Sequence, residues 1–144
     1  MKKPYEVFEH TADMGLRIHG LDLEDLFRNA ALGFYDLVTD VKKITKKKGV
    51  EEKSVVIHLE SDSLENLFLK WLRELLFIFA TKHLVFVKFE FKRLKKNELL
   101  TTATGLPFDP GRDVQKHEVK AITYHQSRLD KTKAGWLAEV IVDV

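Results

Sequence analysis

The amino-acid sequence predicts a single α+β domain in which two amphipathic helices cover a mixed, mostly antiparallel sheet. Apolar residues recur with helical spacing in two segments, residues 22–38 and 62–82. Strand-like alternation appears in seven other short segments, and most consecutive strands are joined by short links, which favour antiparallel pairing. A chain of 144 residues is long enough to bury one core, so we expect residues 1–144 to form one domain.

Composition and charge exclude several classes of protein. The chain has 24 Lys and Arg against 22 Asp and Glu, a balance that does not by itself predict nucleic-acid binding. It has no cysteine, which excludes a disulfide scaffold, a Cys-ligated zinc site and thiol catalysis. No apolar run is long enough to span a membrane, and no signal-like segment follows the N terminus, so we expect a cytoplasmic protein.

The N-terminal third predicts two strands followed by a helix. Residues 5–9 and 16–21 alternate as strands, and HTADMG at 10–15 is expected to form the polar turn between them. Asp22 is expected to cap a helix whose apolar stripe runs for about four turns. The lysine-rich segment 42–53 is interpreted as an exposed loop, with a phosphate-binding patch as the less favoured alternative.

The remaining elements are a strand, a long helix and four further strands. Residues 54–60 form the strand, and residues 62–82 carry the clearest helical pattern, with Asp62 expected as its cap and Glu65 three residues later. The four strands are expected at 84–94, 98–105, 118–125 and 135–144. In the first of these, alternation predicts that Val85, Val87, Phe89 and Phe91 share one face.

Candidate chemistry is concentrated near the two ends of the chain, because no glycine-rich phosphate loop or nucleophile elbow is present. His10 and Asp13 stand three apart in the HTAD block, which is either a simple turn or part of a metal or catalytic site. Asp143 in the last strand, beside a terminal carboxylate on Val144, would concentrate the oxygen ligands that Ca²⁺, Mg²⁺ and Mn²⁺ prefer; a frayed, solvated tail is the alternative. Lys120 either protects a strand edge or directs its positive charge at a phosphate or at these carboxylates.

Five blocks in a fixed order resemble the archease family and extend over nearly the whole chain. They are FEHTADMG at 8–15, SLENLFLKWLRELLF at 63–77, the G-x-P-x-D pattern from Gly105 to Asp109, EVKAITYH at 118–125, and the Trp136 strand that ends in Asp143 and Val144. Met14 stands where a branched aliphatic residue is usual, and the 110–117 segment is less typical of the family.

The resemblance implies an α+β fold and an accessory protein without catalysis of its own. Archeases assist the RtcB-type RNA ligase, which depends on GTP and Mn²⁺ and joins RNA ends in tRNA splicing and RNA repair. They promote formation of the guanylylated ligase and so support multiple turnover. The resemblance therefore implies the ligase as partner, with RNA contacted through the ligase.

The resemblance also implies a divalent metal site, with Ca²⁺, Mg²⁺ or Mn²⁺ as candidates. Its ligands would be Asp13, Asp143 and the carboxylate of Val144, with His10 and Lys120 as neighbours. Because two adjacent carboxylates repel each other, a cation between them would stabilise the pair. Three alternatives stay open: a chaperone-like modulator of tRNA methylation, a small metal-dependent hydrolase with His10 as base, and an RNA-binding module that uses the lysines of 42–53.

Overall fold

Two antiparallel sheets and two long helices build the fold. The computed structural model of the chain describes residues 3–10 and 13–144, and at His10, Tyr124 and His125 it describes the backbone only. The strands are β1 Tyr5–His10, β2 Asp13–Gly20, β3 Lys53–Glu60, β4 Leu84–Leu94, β5 Glu98–Pro107, β6 Ala121–Thr132 and β7 Gly135–Asp143. The helices are α1 Leu23–Val38, α2 Val41–Thr45 and α3 Leu64–Lys82.

The strands form two separate sheets that share one hydrophobic core. The first sheet has the order β1-β2-β7-β6 and the second has the order β3-β5-β4, with every pair antiparallel. Buried side chains from both sheets and from α1 and α3 belong to one core cluster. The predicted α+β class with a mostly antiparallel arrangement is confirmed.

The two long helices contact each other through aromatic residues. The Phe27 and Phe68 rings meet edge to face at 5.3 Å between centroids. The indole Nε1 of Trp71, which is fully buried, donates a 2.9 Å hydrogen bond to the carbonyl oxygen of Phe27. The apolar stripes predicted for both helices are therefore the core-facing surfaces, and the Trp71 hydrogen bond satisfies the one polar atom that its burial would otherwise leave unpaired.

The ends of the helices follow capping chemistry. Asp22 caps α1 as predicted, since its Oδ1 accepts from the backbone N–H of Asp25 at 2.8 Å. The predicted cap of α3 is wrong by one residue: Ser63 is the cap and its hydroxyl accepts from the N–H of Asn66 at 3.2 Å. Asp62 instead accepts from the side-chain amide of Asn66 at 2.7 Å.

The segment 42–53 is not entirely a loop. The short helix α2 begins one residue before this segment and ends at Thr45, and Asp40 caps it by accepting from the N–H of Lys43 at 3.3 Å. Ile44 is only 1% exposed, so one apolar side chain anchors this lysine-rich stretch to the core. The lysine-rich composition of the segment predicts exposure, and it does not reveal that Ile44 packs into the core.

Several predicted strand limits differ from the structure. The segment predicted as a turn, 10–15, belongs largely to strands, because β1 extends to His10 and β2 begins at Asp13; the rest of that prediction, at 11–12, lies outside the described residues. The strand predicted at 118–125 begins at Ala121 and continues to Thr132, with a register shift between Thr123 and Arg128. In β4 the single face predicted for alternate residues from Val85 is wrong, because a register shift between Phe86 and Lys88 interrupts the alternation.

The helices of the described residues can be compared with the length and apolarity that a membrane span requires. No helix there combines the length and the apolarity needed to cross a bilayer.

Candidate functional site

Two acidic residues from opposite ends of the chain meet at one end of the first sheet. In the pairing of β2 with β7, Met14 lies opposite Val142 and Gly15 opposite Ile141. The same register, continued by one residue, places Asp13 opposite Asp143. The antiparallel pairing of the second strand with the last is therefore what brings the two carboxylates together.

Both acidic residues belong to the outer face of the sheet, away from the helices. Leu16 and Ile18 in β2 are fully buried in the core, so Asp13 lies on the opposite face of the strand. In β7, Val140 and Val142 are buried in the core, which places Asp143 on the outer face as well. Side chains directly opposite on one face have Cβ atoms about 4.5–5.5 Å apart, so a single cation can contact both carboxylates.

A third strand end completes this corner of the sheet. Ala121 at the start of β6 lies opposite Asp143, and the backbone N–H of Lys120 donates a 2.7 Å hydrogen bond to the carbonyl oxygen of Asp143. Lys120 and Asp143 are exposed, whereas Asp13 and Val144 are partly buried. The structure thus holds the backbone of Asp143 between β2 and β6 and leaves its side chain accessible.

The predicted neighbour His10 reaches the same corner through its backbone. In the β1–β2 hairpin, His10 pairs with Asp13. Its side chain, like Thr11 and Ala12, lies outside what the structure describes. The residues predicted for the site therefore lie in or next to the strands at one end of the first sheet, and their metal-binding role stays a prediction. They are His10, Asp13, Lys120, Asp143 and Val144.

The donor set fits a hard divalent cation. Carboxylates of Asp13 and Asp143 offer oxygen donors on one accessible face, and Ca²⁺, Mg²⁺ and Mn²⁺ are bound by such oxygens. With these two side chains as ligands, most of the coordination shell of the ion would remain for water or for groups of a partner.

Gly15 and Phe8 shape the surface beside the acidic pair. Phe8 pairs with Gly15, and its ring covers the glycine so closely that a Cβ there would lie 2.1 Å from Cζ of the ring. The guanidinium of Arg17 lies 4.9 Å from the centroid of the same ring. The FEHTADMG block therefore contains a packing requirement for glycine next to the residues that carry the chemistry.

Ion pairs occupy the rest of this outer face. Arg17 donates to Glu139 at 2.5 Å and contacts Glu6 at 3.5 Å, while Arg128 approaches Glu139 at 3.8 Å. The hydrogen bond and negative charge of Glu139 raise the pKa of the Arg17 guanidinium above its usual value. Because Arg17 binds these two glutamates, its charge is already compensated on this face.

A second group of potential ligands lies on the other sheet and was missed by sequence reasoning. The Nε2 atom of His58 lies 2.9 Å from Glu98 and 3.6 Å from Glu60, and Arg93 approaches Glu98 at 3.3 Å. Hydrogen bonding from His58, with the nearby charge of Arg93, holds the pKa of Glu98 below its usual range. These contacts account for the group as an exposed ion-pair cluster, and only the β3–β5 register could have revealed it.

The G-x-P-x-D pattern has a structural role. Asp109 accepts from the N–H of Gly111 at 2.9 Å, and its own N–H donates to Asp113 at 2.6 Å. Lys47 forms an ion pair with Asp113 and donates to the carbonyl oxygen of Pro107 at 3.0 Å. This turn thus ties the end of β5 to the lysine-rich segment, and it contributes no side chain to the acidic corner.

Comparison with known proteins gives a consistent result over the full chain. The sequence model of the Archease protein family matches residues 5–144. A protein archease of Methanosarcina mazei is 37% identical over 99% of this chain and 97% of its own length. A protein archease of Pyrococcus furiosus is 37% identical over 99% of both chains.

Two solved structures share the fold. The solution structure of protein 1598 of Methanobacterium thermoautotrophicum is 35% identical, with a TM-score of 0.75 over 98% of this chain and 99% of the other. The crystal structure of a Thermotoga maritima protein described as an archease and possible chaperone has a TM-score of 0.63 over 100% and 98% of the two chains. Its 23% identity supports the fold only.

Proposed function

The chain belongs to the archease family, and we propose that it is a non-catalytic accessory protein of an RtcB-type RNA ligase in the cytoplasm. In this role it promotes guanylylation of the ligase and so allows repeated turnover in tRNA splicing and RNA repair. RNA is contacted through the ligase. The acidic corner formed by Asp13 and Asp143 is the part of the protein that acts on the ligase.

The observation that carries this proposal is that Asp13 and Asp143 lie opposite each other on one outer face, at the ends of two paired strands. Asp13 and Asp143 come from β2 and β7, and Lys120, just before β6, holds the backbone of Asp143 through its N–H. Rigid strands position side chains better than loops do, so the corner is suited to presenting charge to a partner.

Metal binding follows from the same donors. Asp13, Asp143 and the Val144 carboxylate would hold a divalent ion, which supplies positive charge for phosphate groups when bound. Lys120 fixes the backbone of Asp143 through its N–H. The open side of the corner lets ligase or nucleotide oxygens approach, because the side chain of Asp143 is exposed.

The proposal is tested by RNA ligation with the cognate ligase at substrate excess. The RNA carries a 2′,3′-cyclic phosphate and a 5′-hydroxyl, and GTP and Mn²⁺ are supplied. We expect stoichiometric ligation by the ligase alone and repeated turnover with the wild-type protein. Asp13→Ala and Asp143→Ala should abolish the stimulation, whereas Glu60→Ala, in the other carboxylate cluster, should retain it.

Two other results would redirect the assignment. If wild-type protein leaves ligation unchanged, the chaperone-like role in tRNA methylation becomes the next candidate, and the description of the Thermotoga maritima relative as a possible chaperone agrees with it. If the protein alone hydrolyses phosphoesters in a metal-dependent way, the hydrolase alternative replaces the accessory role.

A further inference from the structure

One edge of the second sheet is a regular strand whose centre is apolar. Among the described residues β3 pairs only with β5, through eight consecutive residue pairs without a register shift. The opposite edge, β4, has two register shifts and exposed charged residues such as Lys88 and Glu90. Regular, apolar edge strands recruit further strands, and bulges and charges prevent this. The regular edge of β3, with Val55, Val56 and Ile57 at its centre and the charged Lys53 and Glu60 at its ends, therefore indicates a pairing surface.

Exposed apolar side chains lie along this edge. Val56 is 67% exposed and Phe77 on α3 is 61% exposed, both unusually high for large hydrophobic residues. Between the strand and the helix runs a groove of about 250 Å³. Its lining is Val55 to Leu59 of β3 together with Glu74, Phe77, Ile78 and Lys82 of α3.

The groove has an acidic end and a basic end. The Nζ of Lys70 donates a 2.6 Å hydrogen bond to the carbonyl oxygen of Glu60, so α3 runs back along β3 from that point. Glu74 therefore lies toward the Glu60 end, and Lys82 lies two turns further along, about 12 Å away, toward Lys53. Within residues 3–10 and 13–144, neither Glu74 nor Lys82 forms an ion pair.

We propose that this surface is the interface of a two-fold symmetric homodimer, formed by antiparallel pairing of β3 with β3 of a second copy. A two-fold axis through the middle of the strand brings the acidic end of one groove against the basic end of the other. Glu74 then faces Lys82 of the second copy, twice per dimer, and the two Phe77 rings meet near the axis. The interface is self-complementary, as a closed dimer requires.

A second copy fits this surface better than an unrelated strand does. Both halves of the charge pattern are present on one chain, with Lys53 and Lys82 at one end and Glu60 and Glu74 at the other. Lys70 lies at the acidic end, where its ammonium group donates to the carbonyl oxygen of Glu60 and leaves the Glu74 carboxylate as the group that faces the second copy. An unrelated strand would need to supply the complementary pattern by coincidence.

Sedimentation velocity over a range of protein concentrations tests the proposal. We expect the full chain to associate as a dimer, and Val56→Lys and Phe77→Lys to raise the dimer Kd by roughly tenfold or more, because each places two like charges close together near the two-fold axis. Val87→Lys, at a 37% exposed position on the β4 edge, is the matched control and should leave the Kd unchanged. Circular dichroism confirms that each variant is folded.

A charge exchange distinguishes this interface from any other. Glu74→Lys and Lys82→Glu alone should each weaken the dimer, since like charges then face each other. An equimolar mixture of the two variants should dimerise like the wild type, because every pair is again complementary. Failure of the mixture to recover would overturn the proposed geometry.

Two further results would contradict the second copy as occupant. A chain that remains monomeric at every concentration has no such dimer. If Val56→Lys then weakens binding to the ligase, the edge accepts a strand of the ligase instead. Neither result depends on whether Asp13 and Asp143 stimulate ligation.

Discussion

Gly15 shows how one residue of the sequence motif supports the acidic corner. The Phe8 ring lies directly on this glycine, and the backbone of Gly15 is two residues from Asp13 in the same strand. A larger residue would displace the ring or the strand, and with it the face that carries Asp13. The glycine is required by packing, while the neighbouring carboxylate carries the proposed function.

Replacing Gly15 by alanine should therefore destabilise the protein by about 1–3 kcal/mol, the usual cost of overpacking. Because the clash is with one ring, the cost should be much smaller in a Phe8→Ala background. A double-mutant cycle on the free energy of unfolding in urea measures this coupling. Equal costs in both backgrounds would mean that the ring is not what excludes the methyl group.

Asp113 is the residue whose charge state couples most clearly to folding. Burial opposes its ionisation, but the N–H of Asp109 and the ammonium group of Lys47 outweigh burial and hold the pKa of Asp113 below its usual value. A depressed pKa in the folded state contributes stability above the unfolded pKa, near 3.9, and this contribution is lost as pH falls through the folded pKa.

We expect Asp113→Asn to lower the free energy of unfolding by about 1–2 kcal/mol at pH 7, as a charge-assisted hydrogen bond is lost. The difference between the two proteins should shrink as pH falls below the unfolded pKa, near 3.9, and disappear as pH passes through the lower pKa of the folded carboxyl. Urea unfolding of both proteins at several pH values measures this difference in the free energy of unfolding. A difference that stays constant down to strongly acidic pH would argue against the ion pair with Lys47.

At the scale of single elements, the sequence of α3 predicts the helix clearly but not the residue that caps it. Its apolar stripe is unambiguous, but Asp62 and Ser63 are both good caps and stand next to each other. The structure assigns the cap to Ser63, while Asp62 contacts the Asn66 side chain from outside the helix.

Ser63→Ala should accordingly destabilise the protein by about 1 kcal/mol, because the N–H of Asn66 loses its acceptor. Asp62→Ala should cost less, since it removes only a contact between exposed side chains. Thermal unfolding of the two variants side by side makes the comparison. A larger loss of stability for Asp62→Ala than for Ser63→Ala would mean that Asp62 caps the helix.

Most helices and strands are predictable because the spacing of apolar residues within each segment is enough to indicate its secondary structure. The exceptions depend on contacts between distant residues: α2 exists because Ile44 reaches the core, and β4 departs from simple alternation at its register shifts with β5. For the site, alternation predicts the face of Asp143, but only the β2–β7 register places Asp13 opposite it. The His58 cluster depends on the β3–β5 register in the same way.

At the scale of the whole molecule, the two proposed interaction surfaces belong to different sheets. The first sheet carries the acidic corner at the ends of β2 and β7, and the second carries the open edge of β3. A shared core that includes Trp71 joins them, with its hydrogen bond to Phe27 and its contacts to Phe89 and Phe91. Variants on one surface can therefore be used as controls for the other.

The most direct test of the central claim, that the Asp13–Asp143 corner acts on the ligase, is the rate of ligase guanylylation. Asp13→Asn and Asp143→Asn remove one negative charge each at nearly constant volume, and Glu60→Gln and Glu98→Gln do the same in the other cluster. We predict that wild-type protein and the two glutamine variants accelerate formation of the guanylylated ligase equally, and that both asparagine variants fail to do so while remaining folded. Full acceleration by Asp13→Asn and Asp143→Asn would contradict the account.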